Sequence, residues 1–340
     1  PETGNVAASG RIAAASLLLE GAPDGPLGFS GEATLEGRDW TFDLSADGPE
    51  LSLAADGVAL DPLGPAGAVE GRITANANDL SVFSALARRP LTGALSVAAE
   101  GGVFFDLSSF GIKGTTTGRG LSIGQAEVDR LLAGDLVLNI DAARTTDVID
   151  VNTLTLTTNL LDLRTTGALG LDGSSLKLDG RLADVGAFAA GFPGPATVTG
   201  TIGQVRTGGD YRVDVNLTGP GGIRSTLAGT AAVDFATVNL DAKGFAPLAL
   251  ANGIIQPRSI TGEVGYDLAI NGPLSVNSIS GQISTSGARL VTPTLGITLN
   301  EISGNVNLSG GRADLSFAAL PEAGGRLRLD GPVALTAPFT

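Results

Sequence analysis

Ile260–Leu274 reads ITGEVGYDLAINGPL, and its spacing decides the fold. Tyr266, Leu268 and Ile270 share one phase while Asp267 takes the other. Side chains on a strand point alternately to its two faces, so a period of two reads as a strand with one apolar and one wet face. That is the pattern of an antiparallel sheet, not the continuous apolar run of a parallel one. Asn271-Gly272-Pro273 then breaks the run as a turn. Upstream, Gly262 falls in the apolar phase, between Ile260 and Val264.

The same alternation recurs along the chain. Trp40, Phe42 and Leu44 enclose Thr41 and Asp43, and Leu136, Leu138 and Ile140 enclose Asn139. Tyr211, Val213, Val215 and Leu217 alternate with Arg212, Asp214 and Asn216. Leu295, Ile297 and Leu299 form another run, and Leu315 and Phe317 flank Ser316. Turn signals separate the runs: Asp24-Gly25, Asp47-Gly48-Pro49, Asp56-Gly57, Asp172-Gly173, Gly208-Gly209-Asp210 and Gly310-Gly311. At roughly 12–13 residues per strand and turn, the chain holds about 25 strands. That exceeds a sandwich or small barrel and predicts a repeat array forming one continuous elongated domain over residues 1–340.

A short motif punctuates the array: apolar, one residue, Gly, one residue, apolar. Its glycines are Gly71, Gly93, Gly180, Gly200, Gly262, Gly281, Gly304 and Gly331, each with an apolar residue two before and two after. Positions i, i+2 and i+4 of a strand share a face, which places the glycine on the apolar side. Glycine inside a strand marks a bend or a close approach of backbone. Repeated from strand to strand, it creases the sheet into a trough with an apolar interior. The alternative is that these glycines simply begin strands after turns.

Two segments depart from the pattern. Asp79–Arg89 (DLSVFSALARR) reads as a short helix, with Asp79 as N-cap, Arg88 and Arg89 at its C-terminal end and Pro90 as its stop. Asp184–Phe192 (DVGAFAAGF) is a weaker version ended by Pro193. Both are expected to plug or cover an end of the trough.

Composition narrows the chemistry. The 340 residues include no His, Cys or Met, 50 Gly and a net charge of −14. Without His and Cys there is no Ser-His-Asp or Cys-His site and no thiolate or imidazole metal site, so neither an enzyme nor a bound metal or cofactor is expected. Asp24, Asp47, Asp56 and Asp172 sit directly beside glycine, where turn geometry accounts for them without a catalytic pair. Gly208-Gly209-Asp210 is a fragment of a calcium-repeat motif with nothing tandem after it. The scattered acidic charge argues against nucleic acid as a partner. The longest apolar stretch, Ile12–Leu19, is too short to span a membrane. A chain opening on Pro1 without Met reads as a segment of a longer protein, with any membrane anchor elsewhere.

Phe245–Asp330 carries a succession of such segments. FAPLAL (245–250) precedes ITGEVGYDLAINGPL (260–274) and ISGQISTSGARLVTP (279–293), and ISGNVNLSGGRADLSF (302–317) and GGRLRLDGPVAL (324–335) follow. This order resembles the middle and C-terminal repeats of the TamB family of translocation and assembly module subunits, within the AsmA-like, bridge-like lipid transfer group. NDLSVFSALARRPLTGAL (78–95) and GPATVTGTIG (194–203) resemble its helix-plus-strand units. The resemblance implies a β-taco, a curled antiparallel sheet whose groove carries phospholipid acyl chains across the periplasm. It implies an inner-membrane anchor and an outer-membrane partner of the Omp85 type, TamA or BamA, both met through parts outside this segment.

The expected fold is therefore an elongated, curled antiparallel β-sheet with a hydrophobic groove and one or two short helices. The expected groove lining is the apolar phase: Phe42, Leu44, Leu136, Leu138, Val213, Val215, Ile260, Val264, Tyr266, Leu268, Ile283, Ile297, Val306, Leu315 and Phe317. For any one of these, ordinary burial in a core is the competing reading. The competing architecture is the β-helix of a structural or adhesive secreted protein. The uneven spacing of the motif, 19 residues from Gly262 to Gly281 and 23 from Gly281 to Gly304, weighs against it.

Overall fold

A strand leaves its backbone N–H and C=O groups to be satisfied by a neighbour. The computed structural model shows the neighbour to be, almost everywhere, the next strand in sequence. It describes residues 3–12, 25–64, 66–170, 172–189, 191–234 and 236–335. Asp24 of the expected Asp24-Gly25 turn, and the apolar stretch after Ile12, lie outside the described residues.

The contacts divide the chain into two units, Pro1–Leu171 and Asp172–Thr340. In the first, the strands are β1 (Thr3–Ile12), β2 (Leu27–Glu36), β3 (Asp39–Gly48), β4 (Leu51–Leu60) and β5 (Ala68–Ala77). They continue as β6 (Thr92–Phe104), β7 (Ser109–Ser122), β8 (Asp135–Thr145), β9 (Val148–Thr157) and β10 (Leu161–Gly170). Each pairs antiparallel with the next.

The second unit holds β11 (Gly173–Leu182), β12 (Ala196–Gln204), β13 (Tyr211–Gly219), β14 (Ile223–Ala231), β15 (Val238–Pro247) and β16 (Ser259–Thr261). It ends with β17 (Glu263–Gly272), β18 (Ile279–Thr292), β19 (Ile297–Ser309), β20 (Arg312–Pro321) and β21 (Leu327–Ala334). Successive pairing holds here too, except that β15 pairs with β17 while β16 pairs with β18. The fold is all-β and antiparallel. Among the described residues there are 21 strands rather than about 25, because helical connections and long strands consume chain.

The two margins of each sheet differ. In the first unit one margin carries helical connections: a 3-10 turn (Leu80–Phe83) running into α1 (Ser84–Ala87), then α2 (Ala126–Leu132). The opposite margin carries the β2–β3, β4–β5, β6–β7 and β8–β9 hairpins. In the second unit one margin carries 3-10 turns at Val185–Ala187 and Pro220–Gly222, and Leu248–Ala251 leading into α3 (Asn252–Ile255). The Asp79–Arg89 helix is thus present in two short pieces, with Arg88 turning left-handed at φ 53°. Of the described residues in Asp184–Phe192, only Val185–Ala187 are helical. Helices α2 and α3 were not expected. No helix among the described residues is long and apolar enough to cross a membrane.

Asp79 and Asp184 both act as caps. Asp79 accepts from the Ser81 N–H at 2.8 Å. Asp184 accepts from the Gly186 N–H at 2.8 Å and the Gly194 N–H at 2.7 Å, tying the turn to the approach of β12. The Gly194 and then the Gly186 hydrogen bonds hold the Asp184 carboxyl below its ordinary value of 3.8. A depressed carboxylate stabilises the fold above its unfolded value and loses that contribution as pH falls through the lower, folded one. Asp184→Asn is therefore expected to be less stable than the parent well above pH 3.8, with the gap closing in stronger acid. Urea midpoints of both proteins on either side of that pH measure it, and a constant gap would refute the assignment.

Several sequence expectations need correction. Asp56-Gly57 is not a turn but the middle of β4, with Gly57 directly opposite Phe42 and Gly71. Leu295 is not in the Ile297–Leu299 strand: it closes a 3-10 turn and is exposed. Gly93 sits where the β6–β7 register shifts, and Gly262 separates β16 from β17, so neither lies within an unbroken ladder. The register shift and the strand break take up the extra backbone that a regular pairing has no room for.

Candidate functional site

Directly opposed residues of an antiparallel ladder share a face, so the registers give each face as a set of rows. In the first unit one row runs Val6, Ala33, Phe42, Gly57, Gly71, Gly101, Ile112, Ala142, Val151 and Gly167. The next runs Ala8, Gly31, Leu44, Ala55, Ile73, Ala99, Gly114, Ile140 and Leu154. A third contains Leu138, opposite Thr116 and Leu156, and Leu136 lies beyond it opposite Gly118. Phe42, Leu44, Leu136 and Leu138 therefore share one apolar face.

In the second unit Val213 lies opposite Ile202 and Gly229, and Val215 opposite Gly200 and Leu227. Leu268 faces Ala242 and Gly281, Tyr266 faces Gly244 and Ile283, and Val264 faces Ala246 and Thr285. Val306 is opposite Ile283 and Leu315, and Phe317 is opposite Gly304 and Leu329. Past the bulges in β18 and β19, Ile260 pairs with Leu290 and Ile297 with Thr292 on the same side. The eleven expected residues of this unit share its apolar face.

The opposite face is polar. In the first unit Asp43, Asp56, Arg72, Glu100, Lys113 and Asp141 stand in one row, with Arg72–Glu100 at 3.2 Å and Lys113–Asp141 at 3.4 Å. A one-residue bulge puts Asn152 on this side, where it donates to Asp141 at 3.0 Å. That bond, then Lys113, lowers the Asp141 pKa. In the second unit Lys243 and Asp267 pair at 3.0 Å, and Asp267 raises the Lys243 pKa. Exposed pairs of this kind add little stability each. Their effect is to give the sheet one wet face.

The glycines explain why the apolar face is concave. A Cβ on Gly71 would stand 3.0 Å from the Gly57 Cα and meet the Asp56 carbonyl oxygen; a Cβ on Gly101 would stand 3.0 Å from the Ile112 Cα. A Cβ on Gly200 would stand 2.6 Å from the Val215 Cα, and one on Gly281 2.9 Å from the Leu268 Cα. Neighbouring backbone thus fills the space a side chain would need, on the apolar side. At Gly71, Gly200 and Gly281 this fits the crease reading of the motif; Gly93 and Gly262 stand at the starts of strands, as the turn reading has it, and a Cβ on Gly331 would meet nothing within 4 Å. Gly180 and Gly331 lie in the same apolar rows, opposite Val198 and Leu315.

Other glycines serve as shelves. Phe42 reaches over Gly57, Leu44 over Gly31, Tyr266 over Gly244 and Phe317 over Gly304, each close enough to contact an added Cβ. Large side chains therefore lie along the sheet instead of standing up from it, and the trough stays open. In the first unit it holds a concavity of about 540 Å³ bounded by Phe42, Ala55, Val69, Ile73, Ala99, Val103, Phe110 and Ile112. Of these, only Phe42 is among the residues expected from the sequence to line the groove. Val69 and Ile73 were visible as the flanks of Gly71; Val103 and Phe110 face each other across a hairpin that no local signal announced.

Packing contacts run between neighbouring strands and to the short helices at the margins. Among the described residues ten apolar ones are buried, six of them Ala, and no large side chain is completely enclosed. Val215 is 4% exposed, but Ile73 is 42% exposed, and Leu44 and Phe29 are similarly open. The sequence matches no protein-family model and no curated protein.

Proposed function

We propose that this chain is a non-enzymatic carrier of phospholipid acyl chains, which lie in the open apolar trough. The observation that carries this reading is an apolar face, continuous across the strands of each unit, with no second layer packed over it among the described residues. A soluble protein rarely leaves so much contiguous apolar surface unless something else covers it. A trough lined by Leu, Val, Ile, Ala and Gly offers an acyl chain burial worth about 0.8 kcal/mol per CH₂. The polar groups on this face are few and scattered, among them Thr116, Arg144, Thr285 and Thr292, so the chain is held without being fixed in place.

The resemblance to the TamB family supplies the setting: transport between the two membranes of a Gram-negative envelope, from an inner-membrane anchor towards an Omp85-type protein, TamA or BamA. Against the alternative of an adhesive β-helix weighs that every strand pairing among the described residues is antiparallel, whereas a parallel β-helix coils its strands in parallel.

The test places a photo-crosslinking residue at Leu44 or Leu268 on the apolar face, and at Asp43 or Asp267 on the wet face. After irradiation in cells, phospholipid adducts are expected from the first pair only. Adducts from the second pair, or from none, would overturn the reading.

A further inference from the structure

At one margin of the first unit the alternation fails, and it fails towards grease on both faces. The β4–β5 and β6–β7 hairpins end there side by side, joined by the Phe105 N–H donating to the Gly67 carbonyl at 2.9 Å. On the apolar face this margin carries Ala59, Val69, Val103 and Phe110. On the outer face, where polar residues belong, Leu60 and Phe104 are exposed on either side of Ala68, which is itself buried. Beyond both faces, at the tips, Leu63 is 100% exposed, and Phe105 and Leu107 are also mostly in solvent. Leu107 adopts φ 59°, a left-handed conformation that costs a non-glycine residue energy.

A trough for acyl chains requires grease on the inner face alone. A margin apolar on both faces and at its tips has the chemistry of an edge that enters a hydrocarbon layer. Leu63, Phe105 and Leu107 stand exposed at the tips. Charge selects the kind of layer. Asp106 lies at the tips, Asp61 beside it is paired with Arg38 at 3.2 Å, and the chain carries −14 overall, which disfavours an anionic surface. We propose that the paired tips of Leu63, Phe105 and Leu107 dip into the surface of a zwitterionic phospholipid bilayer, beside the Val69–Phe110 end of the trough. The inference rests on the acyl-chain reading for its purpose, which is lateral exchange between bilayer and trough.

The experiment uses the full chain with Trp40, its only tryptophan, changed to Phe and a new tryptophan as reporter. Leu63→Trp or Phe105→Trp is expected to shift to the blue and be quenched by phosphatidylcholine vesicles with brominated acyl chains. Arg89→Trp, on the opposite margin, is expected to do neither. Leu63→Asp with Phe105→Asp should lower vesicle partitioning at least about tenfold, and anionic vesicles should bind less than zwitterionic ones. An unquenched tip reporter would overturn the proposal. So would concentration-dependent dimerisation abolished by the same two aspartates, since the tips would then be covered by a second copy. An Ile73→Trp reporter inside the trough reads the acyl-chain function separately: its failure beside a quenched tip would remove the purpose but leave the bilayer contact.

Discussion

Gly71→Val is expected to destabilise the protein by about 3 kcal/mol or more, read as a drop in the urea midpoint. The new Cβ would meet the Asp56 carbonyl oxygen and stand 3.0 Å from the Gly57 Cα. Both are backbone atoms of the neighbouring strand, so no rotamer relieves the clash. Strands β4 and β5 must move apart and give up ladder hydrogen bonds in the middle of the crease. The control is Gly111, in β7, where an added Cβ has nothing within 4 Å and φ lies outside the left-handed region. Gly111→Ala is expected to change stability by no more than about 0.5 kcal/mol. Equal effects at the two positions would mean that the glycines are turn residues or accidents of composition, and that the curl has another origin.

Ile73→Asp is expected to abolish acyl-chain binding to the first unit while leaving the protein folded. Ile73 is half-exposed on the wall of the 540 Å³ concavity, so a carboxylate there keeps its water in the empty protein. A bound acyl chain would strip that water without offering a hydrogen bond, and burying an unpaired carboxylate is costly. Loss of affinity for a fluorescent fatty acyl probe by about 100-fold corresponds to about 2.7 kcal/mol, well within that cost. Thr41→Asp, beside Phe42 but on the wet face, is expected to bind as the parent does. Equal loss from both variants would point to a general effect of charge or folding, and no loss from Ile73→Asp would place the probe elsewhere.

Much of this was legible in the sequence because the fold is built from the one signal a strand advertises well. The alternation of Tyr211–Leu217 and Tyr266–Ile270 assigns both strand and face, and the registers place every expected lining residue on the apolar side. What was misread was misread for local reasons. Asp56-Gly57 has the chemistry of a turn; only Leu53, Ala55 and Ala59 in phase with Gly57 tell that the glycine belongs to a strand. Helix α2 begins at Gln125 without a side-chain cap. It is held by Asp129, which accepts from the Ile123 N–H at 2.7 Å and the Ser122 hydroxyl at 2.9 Å, so its anchor lies inside the helix and no start signal precedes it. The openness of the trough was not readable at all. It depends on whether Phe42 stands up or lies over Gly57, and sequence spacing is silent on that choice.

The pairing of each strand with its sequence neighbours has a consequence for how such a protein changes length. No strand of the β1–β10 ladder needs a partner far away in the chain, and no core shared by the whole sheet must be refilled when one is lost. Deleting a hairpin removes two rungs and joins the rungs on either side, with each energetic term confined to nearest neighbours, as in a one-dimensional lattice. Duplicating a hairpin lengthens the ladder by about 9.5 Å at no cost to the rest. Reach is thus a heritable quantity that can be adjusted in units of two strands, by recombination alone.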